Sequence, residues 1–188
     1  MKEISDTGYW TSETAHIHHV YSKELGEWIC KFLEDEKENY IYDFGCGMGN
    51  YLKELKDNGF KKLTGFEGDI PMGRVFDNII QQDLTLHFAL RTKGNILSLE
   101  VGEHIPKEFM SVYIDNITSN CNKILITSWA IRGQEGFGHV NCLDNHEILP
   151  EFEKRGFELL TDKTAEARSI IQPYCHWFKN TIFVLKRK

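Results

Sequence analysis

Asp43-Phe44-Gly45-Cys46-Gly47-Met48-Gly49-Asn50 follows the apolar run Tyr40-Ile41-Tyr42 and precedes the helical pattern Tyr51-Leu52-Lys53-Glu54-Leu55. The order is strand, glycine turn, helix. Glycine lets the backbone turn through positive φ and lets a ligand approach bare main chain. The helix start behind it offers free N–H groups and a positive dipole end. Such a turn suits a nucleotide-like ligand. The glycines fall at 45, 47 and 49, a G-x-G-x-G spacing rather than the G-x-G-x-x-G of dinucleotide folds. An acid, Asp43, stands two places before the first.

Working outward, Lys62-Leu63-Thr64-Gly65-Phe66 reads as a second strand ending in Glu67. An acid there can accept hydrogen bonds from ribose hydroxyls. Ile79-Ile80-Gln81-Gln82-Asp83 reads as a third strand ending in an acid, and Asn95-Ile96-Leu97-Ser98-Leu99-Glu100 as a fourth. A helix opens after Pro106, and Lys123 to Trp129 is a fifth strand. Asp144 caps a helix that stops near Gly156. Phe157 to Leu160 is a sixth strand, and Trp177-Phe178 through Leu185 a seventh. Residues 161–176 carry only a weak helical pattern. Upstream, Leu25, Trp28, Ile29 and Phe32 have the i, i+3, i+4 spacing of an amphipathic helix. Strands alternating with helices imply an α/β fold with right-handed crossovers and a ligand at the C-terminal strand ends.

The chain has 188 residues, enough for one domain with a real core. Its formal net charge of −6 argues against a dominant electrostatic grip on nucleic acid. No run approaches membrane-spanning length, and the start at Met1-Lys2-Glu3 is too polar for a signal peptide. The five scattered cysteines read as reduced thiols of a cytoplasmic protein.

With Asp43, the three glycines, Glu67 and Asp83 in this order, the chain resembles the class I S-adenosylmethionine (SAM)-dependent methyltransferases over roughly residues 39–160. The resemblance implies a Rossmann-like, seven-stranded, mainly parallel sheet with the last strand antiparallel and helices on both faces. It implies one domain over 1–188, with 1–38 as a helical lid and 39–188 as the catalytic core. It also implies SAM as cofactor, with S-adenosylhomocysteine as product. Cofactor contacts are expected from Asp43, Gly45, Cys46, Gly47, Gly49, Glu67, Gly68, Asp83, Leu84 and Glu100, and from Tyr21. Glu67 is followed by Gly68-Asp69 rather than a hydrophobic step, so either carboxylate can take the ribose.

Glu100-Val101-Gly102-Glu103-His104 follows the fourth strand directly. This E-x-x-E-H pattern resembles that of ubiquinone-pathway O-methyltransferases and of small-RNA 3′-terminal 2′-O-methyltransferases. The resemblance implies Glu103, His104 and His139 as catalytic residues, and Glu100, Glu103, His104 and His139 as ligands of a divalent cation. Carboxylate and imidazole suit such an ion. With no metal, His104 serves as a cap or a general base. The cluster His16-Ile17-His18-His19, with Tyr9, Trp10 and Tyr21, is expected to fold over the pocket. The favoured activity is methyl transfer to an oxygen of a small polyhydroxylated acceptor, a sugar or nucleotide sugar. The rivals are an RNA 2′-O-methyltransferase, a catalytically silent SAM-binding protein and, last, an NAD-dependent oxidoreductase.

Overall fold

The computed structural model describes residues 3–188; the polar start at Met1 and Lys2 lies outside them. In chain order the elements are α1 (Ser12–His18), α2 (Lys23–Phe32), β1 (Tyr40–Phe44), α3 (Asn50–Asp57), β2 (Lys62–Glu67), β3 (Ile79–Gln81) and β4 (Gly94–Ser98). They continue as α4 (Met110–Ser119), β5 (Cys121–Ser128), α5 (Asn145–Glu153), β6 (Phe157–Leu159), α6 (Thr161–Ser169), α7 (Phe178–Thr181) and β7 (Ile182–Arg187).

The seven strands form one sheet in the order β3-β2-β1-β4-β5-β7-β6. All neighbours are parallel except β7, which runs antiparallel to both β5 and β6. Strand periodicity divides the core cleanly, because successive side chains point to opposite faces. Ile41, Leu97, Ile124, Ile126, Ile182 and Val184 face α2, α3, α6 and α7. Tyr42, Phe44, Ile96, Leu125, Phe183 and Leu185 face α4 and α5. The result is a three-layer sandwich, as the alternation of elements implies. No described helix is long and apolar enough to cross a membrane.

Local chemistry sets the helix limits. Ser22 accepts the Leu25 N–H and so caps α2. Asp144 and Glu147 form a reciprocal capping box on α5, and Gly156, at φ 82°, ends the turn behind that helix. Phe152 of α5 is completely buried against the sheet. Phe152→Ala is expected to cost about 3–5 kcal/mol, read as a lower urea midpoint at unchanged slope.

Two sequence expectations change here. Residues 161–169 form a regular helix despite their weak pattern. Trp177 is a turn residue and Phe178 to Thr181 is helical, rather than the start of the seventh strand, which begins at Ile182. Phe178 and Thr181, one turn apart, are both buried, and the Thr181 hydroxyl donates to the Trp177 carbonyl at 3.1 Å. Burial of that one-turn face outweighs the β propensity of the aromatic and branched residues.

Candidate active site

The C-terminal strand ends open into a cavity of about 280 Å³. Gly45 (φ 78°), Gly47 (φ 50°) and Gly49 (φ 79°) all lie in the left-handed region, which only glycine enters without strain. The Gly45 and Cys46 N–H groups both donate to the Phe66 carbonyl, at 2.8 and 3.2 Å, tying the turn onto β2. Glu67 accepts from the Gly47 N–H at 2.8 Å and from the Gly68 N–H at 2.9 Å. Burial still pushes its carboxyl up to about 7, against the pull of those two bonds. Asp83 accepts from the Thr85 N–H (2.8 Å) and hydroxyl (2.7 Å), and from the Thr7 hydroxyl at 2.8 Å. Asn116 of α4 donates to the Leu84 and Leu86 carbonyls, at 2.9 Å each, and so fixes the loop that carries Leu84.

Gly45, Gly47, Glu67, Gly68, Asp83 and Leu84 therefore stand on one cavity wall. Four residues expected there do not. Asp43 lies beneath the turn, its carboxyl pushed up to about 8 by burial and then by Glu67, with one oxygen unpartnered. Strand parity puts it on the opposite face from Tyr42 and Phe44. Cys46 turns its sulfur into the core against Gly65. Gly49 backs onto Phe76. The Tyr21 hydroxyl donates to Glu54 at 3.1 Å, and its ring packs on Tyr51. Tyr51 is the ring that lines the cavity. Of the two carboxylates after β2, Asp69 accepts the Ser12 N–H at 2.9 Å and anchors α1, whereas Glu67 lines the cavity.

The acceptor side grows from the end of β4. Among described residues Glu100 is the one non-glycine at positive φ, 54°. Its N–H donates to the Ser128 hydroxyl at 2.6 Å. Its carboxylate accepts from the Gln134 amide at 2.8 Å and the Thr181 hydroxyl at 3.3 Å. Glu103 is fully buried with both carboxylate oxygens unpartnered. Burial, and then Glu100, hold its carboxyl well above the usual range. His104 Nδ1 lies 3.2 Å from the Gly138 carbonyl, and His139 Nδ1 lies 3.2 Å from the Gln134 carbonyl. A carbonyl only accepts, so the hydrogen-bond network assigns the proton to each Nδ1 and leaves each Nε2 a free lone pair. His139 Nε2 stands 4.0 Å from Glu103 Oε1, and the two rings meet edge to face at 4.9 Å. Burial, and then His139, lower His104 to about 4. Burial lowers His139 as well.

One ligand atom each from Glu103, His104 and His139 falls within 4.8 Å of the others. The Glu100 carboxylate, held by Gln134 and Thr181, lies beside Glu103 and raises it, but is not one of the three whose ligand atoms all lie within that distance. The trio fits a divalent cation. It offers two orphaned carboxylate oxygens and two imidazole lone pairs, each imidazole oriented by a backbone carbonyl, as metal-bound histidines are.

The N-terminal segment roofs the cavity. His18 and His19 line it, His19 with its ring over Gly47 and lowered by burial to about 4. Trp10 packs edge-on to His104 at 5.1 Å. His16 instead lies over Gly73. Thr7, Tyr51, Trp177 and Phe178 also reach the cavity, though nothing in the local sequence pattern marks them.

No protein-family model matches the chain. Over 175 residues it is 23% identical to an uncharacterized methyltransferase of Alkaliphilus oremlandii, covering 81% of this chain and 71% of that one. The sugar N-methyltransferase KedS8 of Streptoalloteichus superposes with a TM-score of 0.68 at 13% identity, covering 100% of this chain and 97% of the other. The chain has the class I SAM-dependent methyltransferase fold. Magnesium protoporphyrin IX methyltransferase of Synechocystis, solved with bound S-adenosylhomocysteine, gives 0.64 at 17% identity over 94% and 85% of the two chains. Within this class I methyltransferase fold, the ends of β1 to β4 carry the cavity wall, and β7 lies between β5 and β6.

Proposed function

We propose that the protein transfers the methyl group of SAM to an oxygen of a small, neutral, polyhydroxylated acceptor of the sugar class. Residues 39–188 together with α2, which packs on the sheet, would be the catalytic core, and the segment before α2 the lid of a cytoplasmic enzyme. The observation that carries this reading is the Glu103–His104–His139 trio, set beside a cavity whose other wall is the glycine turn with Glu67 and Asp83. Glu67 would take the ribose hydroxyls, Asp83 the adenine amino group, and the backbone of Gly45 and Gly47 the amino-acid end.

In the reaction an acceptor hydroxyl oxygen forms its bond to the methyl carbon as the carbon–sulfur bond breaks. The electron pair stays on sulfur, which leaves as a neutral thioether. The hydroxyl proton passes to an imidazole Nε2. His104 is a weak base, since its conjugate acid sits at about 4, so it takes the proton as the methyl moves rather than before. A divalent cation would be held by Glu103 and the His139 Nε2, leaving the His104 Nε2 free for the proton; it would supply acidification of the hydroxyl and a counter-charge for Glu103. Burial of Glu103 and His104 would limit water at the reacting atoms, while half-buried His139 faces the cavity.

The acceptor class follows from charge. With Glu67 and Asp83 taken up by the cofactor, the rest of the cavity wall carries Glu100 and Glu135 and, among described residues, no Lys or Arg. Such a wall repels phosphate, which favours a neutral sugar over a nucleotide sugar or RNA.

Incubation with methyl-labelled SAM tests the reading, with and without EDTA. The panel holds neutral sugars, amino sugars, nucleotide sugars, phenols and short RNAs. The expected result is label on a neutral sugar oxygen, lost in EDTA and restored by added divalent metal. Label on an amine would overturn the oxygen assignment, and label on RNA the small-molecule one. SAM bound with no label transferred anywhere would favour a silent binder.

A further inference from the structure

Gly68 directly follows Glu67, and its backbone gives no reason for a glycine, since its φ is not positive. The reason is space. A Cβ added at Gly68 would fall inside Tyr9, whose Cβ, Cγ and Cδ1 are its three nearest heavy atoms. Tyr9 comes from the N-terminal segment and is firmly placed. Its N–H donates to the Ser5 hydroxyl at 3.1 Å, and its carbonyl accepts the Ser5 N–H at 2.9 Å. On either side, Thr7 donates to Asp83 and Ser12 to Asp69, at 2.8 and 2.9 Å. Tyr9 lines the same cavity as Glu67, Asp83 and Leu84, with its ring over Gly68.

We propose that Tyr9 is the stacking wall of a purine-nucleoside pocket, and that Gly68 is the notch that seats it. The inference rests on the cofactor reading above and adds the residue that would decide the ligand class. An aromatic face beside two carboxylates selects a planar base that brings hydroxyl and amino donors together, which a purine nucleoside does. Pyrophosphate has no partner there. The core alone lacks a side chain at position 68, so the lid completes the nucleoside site. The next residue, Trp10, touches His104, so seating of the nucleoside wall and of the acceptor wall are one event.

Calorimetric titration of the intact chain with S-adenosylhomocysteine tests this. Stacking of a base on an aromatic ring is worth enough that Tyr9→Ala is expected to bind roughly tenfold more weakly or worse. Tyr9→Phe keeps the ring and is expected to bind like the parent. Tyr9→Ala combined with Gly68→Leu is expected to recover most of the loss, because the new side chain fills the vacated wall. Gly68→Leu alone is expected to bind weakly, since it evicts Tyr9. Unchanged affinity in Tyr9→Ala would overturn the proposal while leaving the cofactor reading intact. A double variant no better than Tyr9→Ala would overturn it equally. Failure of the parent chain to bind would remove the cofactor reading itself, and the proposal with it.

Discussion

Glu103→Gln is expected to abolish most methyl transfer while leaving the affinity for S-adenosylhomocysteine almost unchanged. Glu103 is fully buried, with both oxygens unpartnered, and stands 4.0 Å from His139 Nε2. It lies on the acceptor side, away from the wall formed by Glu67 and Asp83. Weakening the hold on a cation in this way is expected to cost at least the roughly 10–100-fold in activity typical of changes around a metal's ligands. The same substitution should not weaken the fold. Burial and Glu100 hold the Glu103 carboxyl well above the usual range. A carboxyl raised in the folded state is best tolerated below its unfolded pKa, and it destabilises increasingly as pH climbs from there. The amide lacks this dependence. Glu103→Gln is therefore expected to match the metal-free parent in thermal unfolding near pH 4 and to exceed it at pH 7–8. A variant inactive because it is misfolded would show the reverse.

The second large effect is expected at Glu67. Its carboxylate is held by the Gly47 and Gly68 N–H groups and faces the cavity. Hydrogen bonds to a charged group are each worth about 1.5–3 kcal/mol. Loss of the ribose contact in Glu67→Ala is expected to weaken SAM binding by roughly 10–100-fold, read by calorimetry. The pH dependence carries the same signature. Ribose hydroxyls donate to the ionised carboxylate, and burial has raised Glu67 to about 7. Affinity of the parent is expected to rise as pH increases through about 7 and to level above it, while Glu67→Ala loses that rise. Equal affinity of parent and variant would remove Glu67 from the cofactor site.

Much of this architecture is written in local pattern. The run from Tyr40 to Leu55 declares strand, turn and helix, because the glycine spacing and the change from alternation to helical period coincide. The E-x-x-E-H stretch announces Glu103 and His104, and the structure brings His139 to them. What the pattern misses depends on direction or distance. Asp43 and Cys46 belong to the motif, yet their side chains leave the cavity, because the turn is built for its backbone and not for those two groups. Glu100 has the spacing of a ligand. Its carboxylate accepts from Gln134 and Thr181 and lies beside Glu103, which no local periodicity foretells. Trp177 and Phe178 look like strand residues, and only the shared burial of Phe178 and Thr181 makes that turn helical. Tyr9 reaches Gly68 across 59 residues of sequence, beyond any local periodicity. The one trace it leaves is a glycine where no turn needs one.

A crystal structure grown with S-adenosylhomocysteine tests the central claim most directly. The account predicts the ligand along the strand ends, its ribose hydroxyls on Glu67, its base between Tyr9 and Leu84 with the amino group at Asp83, and its sulfur facing the Glu103–His104–His139 trio. A ligand bound elsewhere, or one in this cavity with its sulfur turned away from that trio, would contradict it.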